Sequence, residues 1–86
     1  MQQFVYTIRD PAGIHARPAG LLAKAAREFP DTVITVASGE KRAAAGQLIK
    51  LMGMGVRQGD RVTVTAEGPS EERDIAAIGR LLQEKF

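Results

Sequence analysis

Gly13-Ile14-His15-Ala16-Arg17-Pro18-Ala19 contains the only histidine of this 86-residue chain. The four residues before Ile14, Asp10-Pro11-Ala12-Gly13, predict a turn. Pro18 has no backbone N–H to donate, so it suits only the first turn of a helix. A helix that begins with Ala16, Arg17 and Pro18 would make His15 its N-cap residue.

This placement of His15 has chemical consequences. The first turn of a helix presents unpaired N–H groups and about half a positive charge, which together attract anions. An imidazole is a nucleophile near neutral pH, and the guanidinium of Arg17 adds a fixed positive charge. The segment therefore suits a histidine that accepts and releases a phosphoryl group. On spacing alone, an ordinary surface or packing histidine remains the alternative.

Three segments resemble one known family. Residues 13–19 are similar to the active-site signature of the histidine-containing phosphocarrier proteins (HPr) of the bacterial phosphotransferase system. Residues 47–56, Gln-Leu-Ile-Lys-Leu-Met-Gly-Met-Gly-Val, resemble that family's second helix and the loop after it. Residues 58–68 resemble its last strand, so the similarity extends over nearly the whole chain.

The resemblance assigns roles to the residues of the signature. It implies that His15 carries the phosphoryl group on Nδ1 and that Arg17 stabilises this group as it arrives and leaves. The backbone N–H groups of Ala16 and Arg17 would hold the phosphoryl oxygens, a form of stabilisation by fixed dipoles.

The same resemblance implies a function and its partners. The protein would take phosphate from phosphorylated enzyme I and deliver it to the A components of sugar permeases. It would be a substrate of these phosphotransferases, not an independent enzyme, and would need no cofactor. The alternative is a specialised paralogue that acts as a regulatory module and binds partners according to its phosphorylation state.

A second group of residues is apolar and lies in the segment similar to the second helix. The resemblance implies that Leu48, Ile49 and Met52 are partly exposed beside His15 and form a docking patch, whereas we expect Leu51 in the core. Methionine suits a surface that must fit several partners. Burial of the whole group is the alternative.

Basic residues near His15 are candidates for steering an acidic partner. Arg17, Lys24 and Arg27 fall in or near the helix that follows His15. An ordinary solvated helix face would show the same charges.

Gln47 departs from the family pattern. Many Gram-positive relatives carry here a serine that a kinase phosphorylates for catabolite control, and an amide cannot accept a phosphoryl ester. We therefore expect no regulation through this position, while phosphate transfer on His15 is unaffected.

Chain length, residue composition and net charge limit the domain number, the location and the kinds of binding site that the sequence allows. The length of 86 residues predicts a single domain over residues 1–86, which we expect to act as a monomer. We expect it in the cytoplasm, because we find neither a signal peptide nor about 18 consecutive apolar residues. Cysteine is absent and there is one histidine, so we expect no disulfide and no thiolate or multi-histidine metal site. A formal charge of +2 and few aromatic residues disfavour nucleic-acid binding.

Periodicity predicts the elements in the order β-α-β-β-α-β-α. Alternating residues predict strands over 3–8, 32–37, 40–43 and 61–66. Apolar residues at steps of three and four predict a helix from Ala16 to about Phe29, a short helix over 47–52 and a final helix capped by Ser70. This pattern predicts an α+β open-faced sandwich of two layers. The resemblance implies a four-stranded antiparallel sheet in the order 1-4-2-3, covered on one face by three helices.

Overall fold

The fold is described by a computed structural model that includes all 86 residues. Its elements follow the predicted order, with bounds β1 Gln2–Thr7, α1 Ala16–Arg27, β2 Val33–Ser38, β3 Lys41–Ala44, α2 Leu48–Gly53, β4 Arg61–Glu67 and α3 Glu71–Lys85. None of the helices combines the length and the apolar character that a membrane crossing requires.

The four strands form one antiparallel sheet in the order β1-β4-β2-β3. β4 lies between β1 and β2, with Val64 opposite both Phe4 and Val36. β2 and β3 are joined by a two-residue loop, Gly39-Glu40, in which Gly39 has a φ of +61°. A glycine at the first position of such a loop supplies the positive φ that a tight hairpin needs.

The core lies between the helices and one face of the sheet. Alternate residues of β4, Val62, Val64 and Ala66, are buried, as the alternation predicts. Leu22 of α1 and Ile78 of α3 pack against them in the same buried cluster. The other face of the sheet carries no helix, so the predicted open-faced sandwich with the strand order 1-4-2-3 is confirmed.

The predicted ends of several elements were wrong by one or two residues. The hairpin loop is Gly39-Glu40, not Ser38-Gly39, because Ser38 pairs with Lys41 at the end of the ladder. α1 ends at Arg27, and Phe29 follows in a tighter turn in which its N–H donates to the carbonyl of Ala26.

The predicted cap position of α3 is confirmed, but the hydrogen bond expected from a serine cap is not formed. Ser70 occupies the N-cap position of α3, but its side chain makes no cap hydrogen bond. Instead, Oε1 of Glu71 accepts a hydrogen bond of 3.2 Å from the N–H of Gly68. The first turn is therefore stabilised by an acidic residue inside the helix rather than by the hydroxyl before it.

A buried carboxylate joins α3 to the start of β2. Asp74 is 1% exposed, and the hydroxyl of Thr32 donates to its Oδ2 over 2.5 Å. An unpaired carboxylate at this depth would cost considerable free energy, so the bond fixes the helix against the sheet.

Candidate functional site

His15 is the N-cap residue of α1, as Pro18 predicts. Its backbone is extended, with φ −126° and ψ 171°, and its carbonyl accepts the N–H of Ala19 over 3.0 Å. The side chain makes no cap hydrogen bond and is 39% exposed. A reaction partner can therefore reach the ring from solvent.

Two backbone donors at this helix end have no partner within the chain. The N–H groups of Ala16 and Arg17 take part in none of the hydrogen bonds, and Pro18, the next residue, has no N–H. Both donors follow His15 directly and sit at the positive end of α1. An anion beside the ring would satisfy them.

The loop before His15 is held by the segment that follows α2. Gly13 has a φ of +68°, and a Cβ at this position would overlap the carbonyl of Val56. That carbonyl accepts the N–H of Ile14 over 3.2 Å. Glycine is therefore required at position 13 both by the backbone angle and by the close approach of Val56.

Asp10 holds the imidazole of His15, a contact that the sequence pattern does not predict. Its Oδ2 lies 3.0 Å from Nε2 of His15, and its Oδ1 accepts the N–H of Ala12 over 2.8 Å. These two donors, Ala12 first and the ring second, hold the pKa of Asp10 below its ordinary value. The only hydrogen bond of the ring is therefore made through Nε2, and Nδ1 has no partner in the chain.

The basic residues of α1 differ in their contacts. The side chains of Arg17 and Lys24 are exposed and make no hydrogen bond or ion pair within the chain. Arg27 is also exposed, but its Nη1 donates to the carbonyl of Gly46 over 3.0 Å. Arg17 and Lys24 are therefore available to a partner, whereas Arg27 also has a structural contact.

The predicted difference between exposed and buried residues of α2 holds in the structure. Ile49 is 78% exposed, Met52 is 40% exposed and Leu48 is half-buried, whereas Leu51 is completely buried. Leu21 of α1, which lies outside the predicted docking residues, is also 40% exposed. A helix as short as α2 cannot bury so many apolar residues against one layer, so some remain at the surface.

Gln47 occupies the N-cap position of α2. Its side chain is exposed and makes no cap hydrogen bond. The residue that departs from the family pattern therefore stands at an accessible helix end, two positions before Ile49.

A family model described as the PTS HPr component phosphorylation site matches residues 2–84. The fold and this match define the chain as a phosphocarrier of the phosphotransferase system. It belongs to the HPr family.

Relatives and solved structures agree with this assignment. The chain is 40% identical over 83 residues to the phosphocarrier protein HPr of Mycoplasma genitalium, covering 96% of this chain and 94% of that protein. The crystal structure of HPr from Thermoanaerobacter tengcongensis superposes with a TM-score of 0.91 at 36% identity, covering 100% of this chain and 96% of that one.

A third similar protein is a much longer subunit of a kinase. The chain is 37% identical over 81 residues to DhaM of Providencia stuartii, the phosphoryl donor subunit of a PEP-dependent dihydroxyacetone kinase, covering 94% of this chain but only 17% of that protein.

Proposed function

We propose that the protein accepts a phosphoryl group on Nδ1 of His15 from enzyme I and passes it to the A components of sugar permeases. The observation that carries this proposal is the pair of unpartnered N–H groups, of Ala16 and Arg17, beside an exposed imidazole whose Nδ1 is free. Every helix leaves its first N–H groups without an intrahelical partner, but here two of them lie directly beside the imidazole, where phosphoryl oxygens can accept from them.

The transfer follows from these groups. The lone pair of Nδ1 attacks phosphorus, and the bond between phosphorus and the donor breaks with its electron pair staying on the donor. The N–H groups of Ala16 and Arg17 donate to phosphoryl oxygens, and the Arg17 guanidinium adds a fixed charge that needs no proton transfer. Delivery is a second displacement at phosphorus: the acceptor attacks, the bond between phosphorus and Nδ1 breaks, and its electron pair returns to Nδ1.

The surroundings of His15 suit a substrate of other enzymes. The ring is open to solvent, so the docked partner must exclude water and complete the environment of the reaction. A site that positioned and activated water by itself would hydrolyse the phosphate before delivery. We therefore infer that the protein is a covalent carrier and not an independent catalyst.

Leu48, Ile49 and Met52, hereafter the docking patch, supply the surface for both partners in this proposal. An exposed apolar patch at the surface is typical of a protein interface. Lys24 and Arg27 add positive charge from α1, which would steer acidic partners toward the patch. We propose that a monomer makes these contacts one partner at a time, and this role would place it in the cytoplasm.

Incubation with phosphoenolpyruvate and enzyme I, followed by intact mass spectrometry, tests the proposal. We expect one phosphoryl group per chain that is lost in acid, because a phosphoramidate bond is acid-labile. The His15→Ala variant is the control and should take up none. Phosphate uptake by this variant would refute the assignment of His15.

Two observations favour a second candidate, a specialised paralogue that serves a different recipient or acts as a regulatory binding module. One is Gln47 at the helix end where many relatives carry serine, and the other is the similarity to a phosphoryl donor subunit of a kinase. Sugar transport in a strain without its own carrier separates the two functions. Phosphate uptake on His15 without restored transport would favour the specialised role.

A further inference from the structure

We propose that Asp10 is a positioning residue for phosphoryl transfer. Its carboxylate keeps the proton of the neutral His15 ring on Nε2, so that Nδ1 carries the free lone pair that attacks the phosphoryl donor. This inference rests on the proposed function of His15. The contact that carries it is the 3.0 Å distance between Oδ2 of Asp10 and Nε2 of His15.

The chemistry of the pair fixes the position of the proton. An ionised carboxylate can only accept hydrogen bonds, so the ring nitrogen that faces it must carry the hydrogen. In a neutral imidazole the other nitrogen then has the free lone pair. In this chain that nitrogen is Nδ1, which has no partner.

Asp10 also stabilises the positive charge that develops on the His15 ring during the reaction. When neutral Nδ1 bonds to phosphorus and the donor bond breaks, the ring becomes positively charged while its Nε2 hydrogen stays in place. The carboxylate lies against that hydrogen and stabilises the positive ring, as a carboxylate does for the imidazolium of a catalytic triad. Because the pair is partly exposed, water weakens this effect.

Asp10 can act in this way because the fold holds it from several sides. Its backbone N–H donates to the carbonyl oxygen of Phe86 over 2.7 Å, and its own carbonyl accepts the N–H of Gly13 over 2.9 Å. Its Oδ1 is occupied by the N–H of Ala12, which orients Oδ2 toward His15. The side chain therefore needs little reorganisation to meet the ring.

The end of α3 contributes to this arrangement through the neighbouring Arg9. The backbone N–H of Arg9 donates to Phe86, and its Nη2 donates to the carbonyl oxygen of Gln83 over 2.8 Å. Its Nε donates to the hydroxyl of Tyr6 on β1, also over 2.8 Å. These bonds fix the start of the His15 loop to two elements of the core.

The test uses Asp10→Asn and Asp10→Ala, with Asp31→Asn as the matched control. The asparagine keeps the oxygen that accepts from Ala12 but presents an NH2 group to the ring. Nε2 must then accept, and the proton moves to Nδ1. Asp31 is exposed, lies beyond the other end of α1, and its carboxylate accepts no hydrogen bond.

Nitrogen-15 NMR of the unphosphorylated protein, at a pH where the ring is neutral, reads the tautomer without any phosphoryl donor. We expect Nε2–H in the wild type and Asp31→Asn, and Nδ1–H in Asp10→Asn. Phosphorylation by enzyme I should slow by about tenfold in Asp10→Ala and further in Asp10→Asn, where the nucleophilic nitrogen is protonated.

Each outcome bears on a separate claim. The wild-type tautomer together with the wild-type rate in Asp10→Asn would overturn the positioning role. Slower transfer in Asp10→Asn with an unchanged tautomer would also overturn it, because a disturbed loop would account for that result. A wild-type protein that shows Nε2–H but takes up no phosphate would refute the proposed function and leave the contact between Asp10 and His15 established.

Discussion

Nη1 of Arg27 lies 3.0 Å from the carbonyl oxygen of Gly46, and this hydrogen bond joins the end of α1 to the segment that leads into α2. A Cβ on Gly46 would lie 3.2 Å from Cγ of Arg27, so the arginine stem passes directly over the glycine backbone. α1 carries His15 at its other end, and α2 carries the docking patch. The bond therefore stabilises the position of the patch relative to the helix that bears the histidine.

We expect Arg27→Ala to lower the free energy of unfolding by about 0.5–1.5 kcal/mol, the net value of one hydrogen bond. Lys24→Ala is the matched control, because it removes the same charge from the same helix without removing a bond within the chain. Urea unfolding of both variants measures the difference. Equal stabilities would show that the bond to Gly46 contributes nothing.

Arg17→Ala should slow phosphoryl transfer without unfolding the protein. The side chain is exposed and makes no hydrogen bond or ion pair within the chain, so the stability should change by less than about 0.5 kcal/mol. Loss of its charge should raise the activation free energy by about 2–4 kcal/mol, as for other lost transition-state donors. Rapid-quench measurement of phosphorylation by enzyme I gives the rate.

Arg17→Lys is the informative companion of this variant. It keeps the charge but loses the forked geometry, so it should recover only part of the rate. A wild-type rate in Arg17→Ala would remove Arg17 from the mechanism.

The sequence predicted the parts of the fold that depend on local chemistry. Pro18 predicted that α1 starts at Ala16, because proline has no N–H to donate and is tolerated only in the first turn of a helix. The alternation over Val62 and Val64 predicted the inward face of β4. The strand order came from the resemblance alone, since periodicity within a strand contains no information on which strand lies beside it.

The contacts of the site could be predicted only in part. His15, Arg17 and the exposure of Ile49 followed from the segments similar to the family. The contact of Asp10 with His15 did not, because an aspartate before proline is already explained by a turn. Its orientation also depends on Phe86, which is distant in sequence, and no local pattern reports such a bond.

The docking patch can be separated from the core by two truncations in the same helix. Ile49→Ala should leave the unfolding free energy within about 0.5 kcal/mol, because the side chain is 78% exposed. Leu51→Ala should cost about 2–5 kcal/mol, because Leu51 is completely buried.

Association with enzyme I and with an A component, measured by calorimetry, completes the comparison. Ile49→Ala and Met52→Ala should each weaken binding, by more than about 1 kcal/mol where the residue is an anchor. Unchanged affinity for both partners, or destabilisation of Ile49→Ala to the level of Leu51→Ala, would refute the patch.

Asp10 should make stability depend on pH in the acid range. Hydrogen bonds from the N–H of Ala12 and from the His15 ring lower the pKa of its carboxyl in the folded protein. A lowered folded-state pKa adds stability that is complete above the unfolded-state value, about 3.9, and is lost as the pH falls through the folded-state value.

Asp10→Asn should therefore be less stable than the wild type at pH 5, and the difference should shrink as the pH falls below about 4. Urea unfolding at a series of pH values measures this difference, and Asp31→Asn should show no such trend. A gap between wild type and Asp10→Asn that stays constant into acid would contradict the prediction.

Gln47 should leave this protein insensitive to the serine kinase that acts on Gram-positive relatives. The amide side chain cannot accept a phosphoryl ester, although its exposed position at the start of α2 would be accessible to a kinase. In Gln47→Ser, a phosphate here would place nearly two negative charges beside Ile49 and repel an acidic partner. We therefore expect such a kinase and ATP to phosphorylate Gln47→Ser and slow its transfer on His15, and to leave the wild type unchanged.

Peptide mass spectrometry locates any phosphate, and Ser38 and Ser70 of the wild type serve as internal controls. Ser38 already donates its hydroxyl to the carbonyl of Arg61 over 2.9 Å, which disfavours its modification. Phosphate on either serine of the wild type, with slower transfer on His15, would show that the control had moved to another position.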